Sequence, residues 1–185
     1  MPDIKQELDK IKERLSDPSF LANKGLANEV GIHVFCYDPA NELLVREYIK
    51  RLVNTPSSDY RIIERNLFSV FLEILTDEDV LEAIPILEDD EGKESLLETL
   101  QNIASAEAFI NKMTYAPIEY GDVLFLTGIG AVYPYMRSHI ILEAMQAPFA
   151  KIPIVMFYPG SFNGQDLSLF DTFFDGHYYR AFNLI

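Results

Sequence analysis

The residues best placed to do chemistry lie where apolar runs stop. Thr127-Gly128-Ile129-Gly130 closes the run 123–127 and precedes a helical pattern, a context in which glycines let backbone amides approach a phosphate. Tyr133 stands where a dinucleotide fingerprint has its third glycine, and no Gly-Lys-Ser/Thr sequence occurs that could grip a nucleoside triphosphate. The loop therefore reads either as a degenerate phosphate site or as a tight structural turn. Arg137 falls in the first turn of the next helical segment, where a cation opposes the helix dipole and calls for a compensating anion. Asp38 or Asp122 would supply it from within the chain; a ligand or partner carboxylate would supply it from outside. His139 follows two residues on, and alternation puts Arg180 on one face with Tyr178 and Phe182. Asp38, Thr127, Gly128, Gly130, Arg137, His139 and Arg180 form the candidate set for binding a ligand or a partner.

Other constellations are incomplete. His33, His139 and His177 show no metal-ligand spacing. Cys36 is the single cysteine and lies in the apolar run 32–37, so neither a disulfide nor a Cys-based metal site is available within the chain. Gly160-Ser161-Phe162-Asn163-Gly164 has its serine one position too early for a nucleophile elbow. The acidic cluster Glu88, Asp89, Asp90, Glu91 before Gly92 reads as a solvated loop between helices, with a carboxylate metal site as the alternative. No catalytic motif is complete, and no metal or cofactor is implied.

The elements that must position these residues alternate strand and helix. The run 32–37 is continuous and rich in β-formers, and Asp38 then caps a helix that opens with Pro39 and runs through Val53. Leu44, Val45, Tyr48, Ile49 and Leu52 give that helix an apolar face, with Glu42–Arg46 and Glu47–Arg51 as supporting pairs. The unit reads as a right-handed crossover. A second strand, 60–64, enters through Asn66 a helix whose apolar face is Leu67, Val70, Phe71 and Ile74, and helical pattern continues to about Lys112. Runs 123–127 and 154–158 with the helical segment 134–145 between them make a second βαβ unit. Pro159-Gly160 and Asn163-Gly164 mark turns, and 178–184 reads as a terminal strand. Before all of these, Ile4, Leu8, Ile11 and Leu15 form the narrow stripe of an amphipathic helix, which must dock on its own domain or on a partner helix.

The fold class expected is α/β: a three-layer, Rossmann-like or P-loop-like domain with a mostly parallel central sheet flanked by helices. One domain covers 1–185, with the N-terminal amphipathic helix at 1–16. In such sheets ligands collect beyond the carboxyl ends of the strands, so the candidate residues would share one crevice there. The chain carries 15 Lys and Arg against 29 Asp and Glu, a formal charge of −14. That surface repels phosphate backbones and anionic membranes, which argues against direct nucleic-acid binding. Lys5, Lys10, Lys12 and Arg14 do cluster on the first helix, but Glu7, Asp9 and Glu13 alternate with them. A single cysteine, a charged N-terminus without an apolar core, and no spanning stretch point to the cytoplasm.

Several segments resemble the BrxB family of BREX bacteriophage-exclusion systems. They are Phe20-Leu21-Ala22-Asn23-Lys24-Gly25-Leu26 with Asn28-Glu29, Tyr37-Asp38-Pro39, and Phe125-Leu126-Thr127-Gly128-Ile129-Gly130 leading into Tyr133-Pro134-Tyr135-Met136-Arg137-Ser138-His139. Phe157-Tyr158-Pro159-Gly160 and Tyr178-Tyr179-Arg180-Ala181-Phe182 extend the likeness nearly end to end. The resemblance implies a small component of a phage-defence pathway encoded beside a methyltransferase, a large ATPase and the alkaline-phosphatase-like protein PglZ, with PglZ as the expected direct partner. It supplies no reaction. Two functions follow as expectations: an adaptor that binds PglZ and other defence components through its acidic surface, with the N-terminal helix as a further contact, or a nucleotide or phosphate sensor built on Thr127–Gly130 with Arg137 and His139.

Overall fold

A computed structural model describes residues 4–23, 31–174, 176 and 181–185. The first helix, α1 (Ile4–Leu15), forms where the apolar stripe requires it, and Leu8, Ile11 and Leu15 are buried. They pack with Val45, Ile49, Val155 and Phe157. The stripe is thus covered by its own protein, which removes it as a seam for a partner helix. A short helix, α2 (Pro18–Leu21), is capped by Asp17, whose carboxylate accepts the Ser19 N–H at 2.8 Å.

Strand β1 (Ile32–Tyr37) is buried along nearly its whole length. Asp38 accepts the Ala40 N–H at 2.8 Å and starts a 3₁₀ turn that leads into α3 (Glu42–Val53). Val45, Ile49 and Leu52 are buried on α3, whereas Leu44 is exposed. The Glu42–Arg46 pair closes at 2.6 Å; a Glu47–Arg51 pair is absent from the ion pairs of the described residues. Then come β2 (Arg61–Asn66) and α4 (Leu67–Asp77), whose first turn is held by the Asn66 side chain accepting the N–H groups of Phe68 and Ser69 at 3.1 Å each.

Helices α5 (Ile84–Glu91), α6 (Lys93–Ile103) and α7 (Ala106–Met113) follow. The acidic run Glu88–Glu91 is the last turn of α5 rather than a loop, and only Gly92, with φ +81°, breaks the helix. Among the described residues, no cluster of three His, Cys, Asp or Glu could hold a metal. The chain continues through β3 (Asp122–Thr127), the one-turn α8 (Ile129–Val132), α9 (Ser138–Met145), β4 (Ile154–Phe162), β5 (Leu167–Leu169), β6 (Phe173–Phe174) and β7 (Phe182–Asn183).

The α/β class with a mostly parallel sheet is borne out. Strand order is β2-β3-β4-β1-β7, with every pair in that path parallel, and β5 and β6 added antiparallel beside the extended end of β4. The crossover from β1 does not deliver an adjacent strand: β2 lands at the far edge, with β4 and β3 between. Strand alternation builds two cores. Val34, Leu124, Leu126, Ile154, Met156 and Tyr158 face α4 and the helices after it. Phe35, Tyr37, Val123, Phe125, Val155 and Phe157 face α1, α2 and α3.

The edge strand β2 is fastened by one buried carboxylate. Asp122, 1% exposed, accepts two hydrogen bonds from the Arg61 guanidinium at 2.7 and 2.8 Å, one from the Tyr115 hydroxyl at 3.0 Å and one from the Glu119 N–H at 3.0 Å. Burial alone would raise its pKa and is the strongest single influence, but Arg61 and the other donors together outweigh it and hold the acid below its ordinary value. A carboxylate depressed in the folded state contributes stability above its unfolded pKa, and loses it as the pH falls through the folded pKa. Asp122→Ala leaves Tyr115 and the Glu119 N–H unpartnered, and should cost about 2 kcal/mol in urea denaturation at neutral pH, with a smaller deficit once the pH has fallen through the depressed pKa of Asp122.

Candidate functional site

The candidate residues do not share one crevice. Tyr37, Glu42, Arg46, Lys50, Glu64 and Thr127 line a cleft of about 270 Å³ on the α3 side of the sheet. Arg137, with Tyr133, Tyr158, Leu169, Phe173 and Phe174, lines a second cleft of about 330 Å³. The two stand on opposite faces because consecutive residues of β4 point opposite ways: Phe157 belongs to the α3-side core and Tyr158 to the other.

In the first cleft the glycine loop is explained by packing. Thr127 donates its hydroxyl to Glu64 Oε1 at 2.9 Å, so it faces a carboxylate rather than an anion site. Gly128 is left-handed, with φ +72°, and a Cβ there would collide with the Asn66 side-chain amide. A Cβ on Gly130 would meet Phe170 Cζ at 2.7 Å and Pro159 Cγ at 3.1 Å. Both glycines make room for their own neighbours, the Asn66 cap and the Phe170 ring. The Glu42 carboxylate accepts from the Tyr37 hydroxyl and from Arg46 Nε, each at 2.6 Å. Burial first, and the bond to Glu42 second, raise the Tyr37 phenol above its ordinary pKa, so it stays neutral.

Pro159-Gly160 is not a turn. Both residues lie within β4: Pro159 sits opposite Tyr37 in the parallel register, and Gly160 opposite Leu169 in the antiparallel one. The strand therefore runs on past its neighbours and folds back through Asn163, whose side chain accepts the N–H groups of Gln165 and Asp166 at 2.8 and 2.7 Å. Phe170 from this hairpin reaches Gly130 in the loop after β3.

Arg137 stands outside α9 as its N-cap residue, with extended backbone (φ −97°, ψ 144°), and its side chain is exposed. Among the described residues it forms no ion pair, because Asp122 is taken by Arg61 and Asp38 is occupied in capping. Beside it Phe174 is 79% exposed and Phe173 45%, the latter with its ring centroid 5.1 Å from that of Tyr133. His139 lies half-buried on α9. Arg180 lies outside the described residues, as does the start of the strand expected at 178–184, of which Phe182–Asn183 forms β7. Cys36 offers no ready thiolate: burial, then the charge of Asp171, pushes its pKa up to about 12.

Sequence reasoning passed over Glu64 and the phenylalanines of the hairpin. Three phenylalanines within 170–174, just after an Asn-Gly turn, were the available signal; exposed aromatic clusters mark contact surfaces more often than cores.

Fold and clefts together define a three-layer α/β protein whose strand-end loop is packed against its own hairpin, and which carries an aromatic and cationic cleft on its surface. A family model described as "BREX protein BrxB" matches residues 63–184. A BREX protein BrxB of Bacillus cereus (strain H3081.97) is 38% identical over 189 residues, covering 98% of this chain and 97% of that protein. A BREX protein BrxB of Escherichia coli O9:H4 (strain HS) is 32% identical over 187 residues, covering 100% and 92%. No solved structure matches. The chain belongs to the BrxB family, a component of BREX phage-defence systems.

Proposed function

We propose that the protein is a non-catalytic adaptor of its BREX system, acting in the cytoplasm, and that it binds PglZ through the cleft holding Arg137, Phe173 and Phe174. The observation that carries this reading is Arg137, which forms no ion pair among the described residues, beside exposed aromatic rings on a protein of net charge −14. Exposed aromatics beside an arginine are the composition of binding hot spots, and they fit a partner segment that brings a carboxylate and an apolar side chain. The alternative, a nucleotide or phosphate sensor at Thr127–Gly130, has Glu64 against it and loses the glycines to packing. Among the described residues no helix is long and apolar enough to cross a membrane.

The test is size-exclusion chromatography with light scattering on the protein mixed with its cognate PglZ, at low and high salt. A stoichiometric complex is expected, weaker at high salt because one contact is ionic. Arg137→Ala and Phe174→Ala should each weaken it by about tenfold or more. No complex at micromolar concentration, or one indifferent to both substitutions, overturns the reading. A nucleotide at 100 times its Kd would stabilise the fold by about 2.7 kcal/mol, so a melting temperature raised by nucleotides would favour the sensor.

A further inference from the structure

The cleft that holds Arg137 also contains the start of α9, and that start has no side-chain cap. Arg137 occupies the N-cap position, but a guanidinium has donors only and cannot accept from the helix. The first-turn N–H groups of such a helix need partners from outside it, and together they present a partial positive charge. A helix start alone does not make a site; Ser138 does. The residue is 8% exposed, yet its hydroxyl makes no hydrogen bond among the described residues. Asn23 Oδ1, His33 Nδ1 and Ser168 Oγ are unpaired and sealed from the surface, whereas the Ser138 oxygen is not sealed and the residue lines the cleft. A hydroxyl recessed in this way has given up most of its water, and an acceptor entering the cleft restores its hydrogen bond.

Hydroxyl, guanidinium and helix amides are all donors, and the described lining contains no Asp or Glu. Donors around one recess call for an oxyanion. The rest of the wall is apolar: Phe173 with its ring beside Tyr133, Phe174 at 79% exposed, and the buried Leu169. A ligand that satisfies both halves must carry an apolar group close to its negative charge, since both must fit within about 330 Å³.

These demands select among anions. A phosphate monoester brings close to two negative charges towards a protein of net charge −14, and a carboxylate brings one. In an extended peptide neighbouring side chains point opposite ways, so an internal Asp or Glu turns the adjoining apolar side chain away from the cleft. A C-terminal residue carries its carboxylate and its side chain on the same carbon. We propose that the cleft captures the free C-terminus of a partner chain. Its α-carboxylate meets Ser138, Arg137 and the first turn of α9, and its last side chain, an apolar one, lies against Phe173 and Phe174. This occupant presupposes the adaptor reading, and it names what Arg137 holds.

The experiment titrates the full chain with a peptide copying the C-terminus of its cognate PglZ, made both as the free acid and as the C-terminal amide, with phenyl phosphate as a control. The free acid should bind with a Kd below about 1 mM, and the amide about tenfold more weakly or worse. Ser138→Ala should weaken the acid by about fivefold and do little to the amide. Arg137→Asp places a favoured capping residue on backbone that is already extended, so the melting temperature should rise while binding of the acid is lost. Should Arg137→Asp fail to fold, Ser138→Ala decides alone. Full-length PglZ deprived of its last residues should bind about tenfold more weakly than the intact protein. If intact PglZ forms the Arg137-dependent complex while acid and amide bind alike, neither binds, or the shortened PglZ binds as well as the intact one, the terminal carboxylate is not the occupant and the adaptor reading stands. Phenyl phosphate bound more tightly than the free acid assigns the recess to phosphate and likewise overturns the proposal. No complex with intact PglZ removes the adaptor reading and this occupant together.

Discussion

Replacing Gly160 by alanine should cost about 4 kcal/mol of stability and detach the β5–β6 hairpin from β4. Gly160 adopts φ +146°, and a Cβ added there would overlap the Ser168 carbonyl oxygen and come within 3.0 Å of the Phe170 nitrogen. Both atoms are backbone, so no side-chain rotation relieves the clash. The strands must part. Parting them breaks the Gly160–Leu169 register and the 2.8 Å bond from the Phe170 N–H to the Pro159 carbonyl. It also withdraws Leu167, which is fully buried, and the Phe170 ring that lies against Gly130. Gly164 is the control: its φ is +91°, yet nothing lies within 4 Å of an added methyl, so Gly164→Ala should meet backbone strain alone, about 1 kcal/mol. Urea midpoints of the two variants decide the matter. If Gly160→Ala loses no more than Gly164→Ala, close approach to Ser168 is not what fixes the glycine.

The same hairpin shows where local sequence stops being informative. Strands β1, β3 and β4 were legible because central parallel strands are wet on neither face and read as unbroken apolar runs. The Asn66 cap was legible because its hydrogen bonds reach only two and three residues on, and the stripe of α1 because helical spacing is a local pattern whatever it packs against. Pro159-Gly160 misled for a physical reason: the pair is a turn signal only when the chain must reverse there, whereas here the glycine accommodates a carbonyl from Ser168, eight residues further on. Strand order was likewise hidden, since nothing local says that β2 must lie beyond β3 and β4.

The candidate residues could be named from the sequence but not placed. Thr127 and Arg137 are ten residues apart, yet they line clefts on opposite sides of the sheet, a separation set by the pleat of β4. The helical pattern places Arg137 in a first turn and asks for Asp38 or Asp122 beside it; the side chain instead stands exposed at the N-cap, and Asp122 is taken by Arg61, which lies opposite it in the β2–β3 register. Glu88–Glu91 reads as a loop on charge alone and forms a helix turn because Ile84 and Leu87, upstream in α5, pack on the core.

Acidification from about pH 6.5 to about pH 4 should remove about 3 kcal/mol of stability through His33 alone, and His33→Phe should abolish that part of the loss. The imidazole is buried among Phe20 and Phe182, with the Arg14 charge nearby, and desolvation brings its pKa from 6.5 down to about 4. In the unfolded chain the ring takes up its proton near 6.5, whereas in the fold it resists until about 4. Between those values the unfolded state binds more protons, so stability falls as the pH falls; above about 6.5 both states are neutral and the contribution is complete. Asp122 does not confuse the window, since its pKa is held below the ordinary 3.8. Asp17, beside Arg14, is likewise held low, by the Ser19 hydroxyl and N–H. Other carboxylates titrate in both proteins and cancel when the variant is subtracted from the parent. Urea denaturation of the two across this range therefore isolates one ring. Parallel curves would mean that His33 is protonated in place, with water reaching Nδ1, and would undercut its burial.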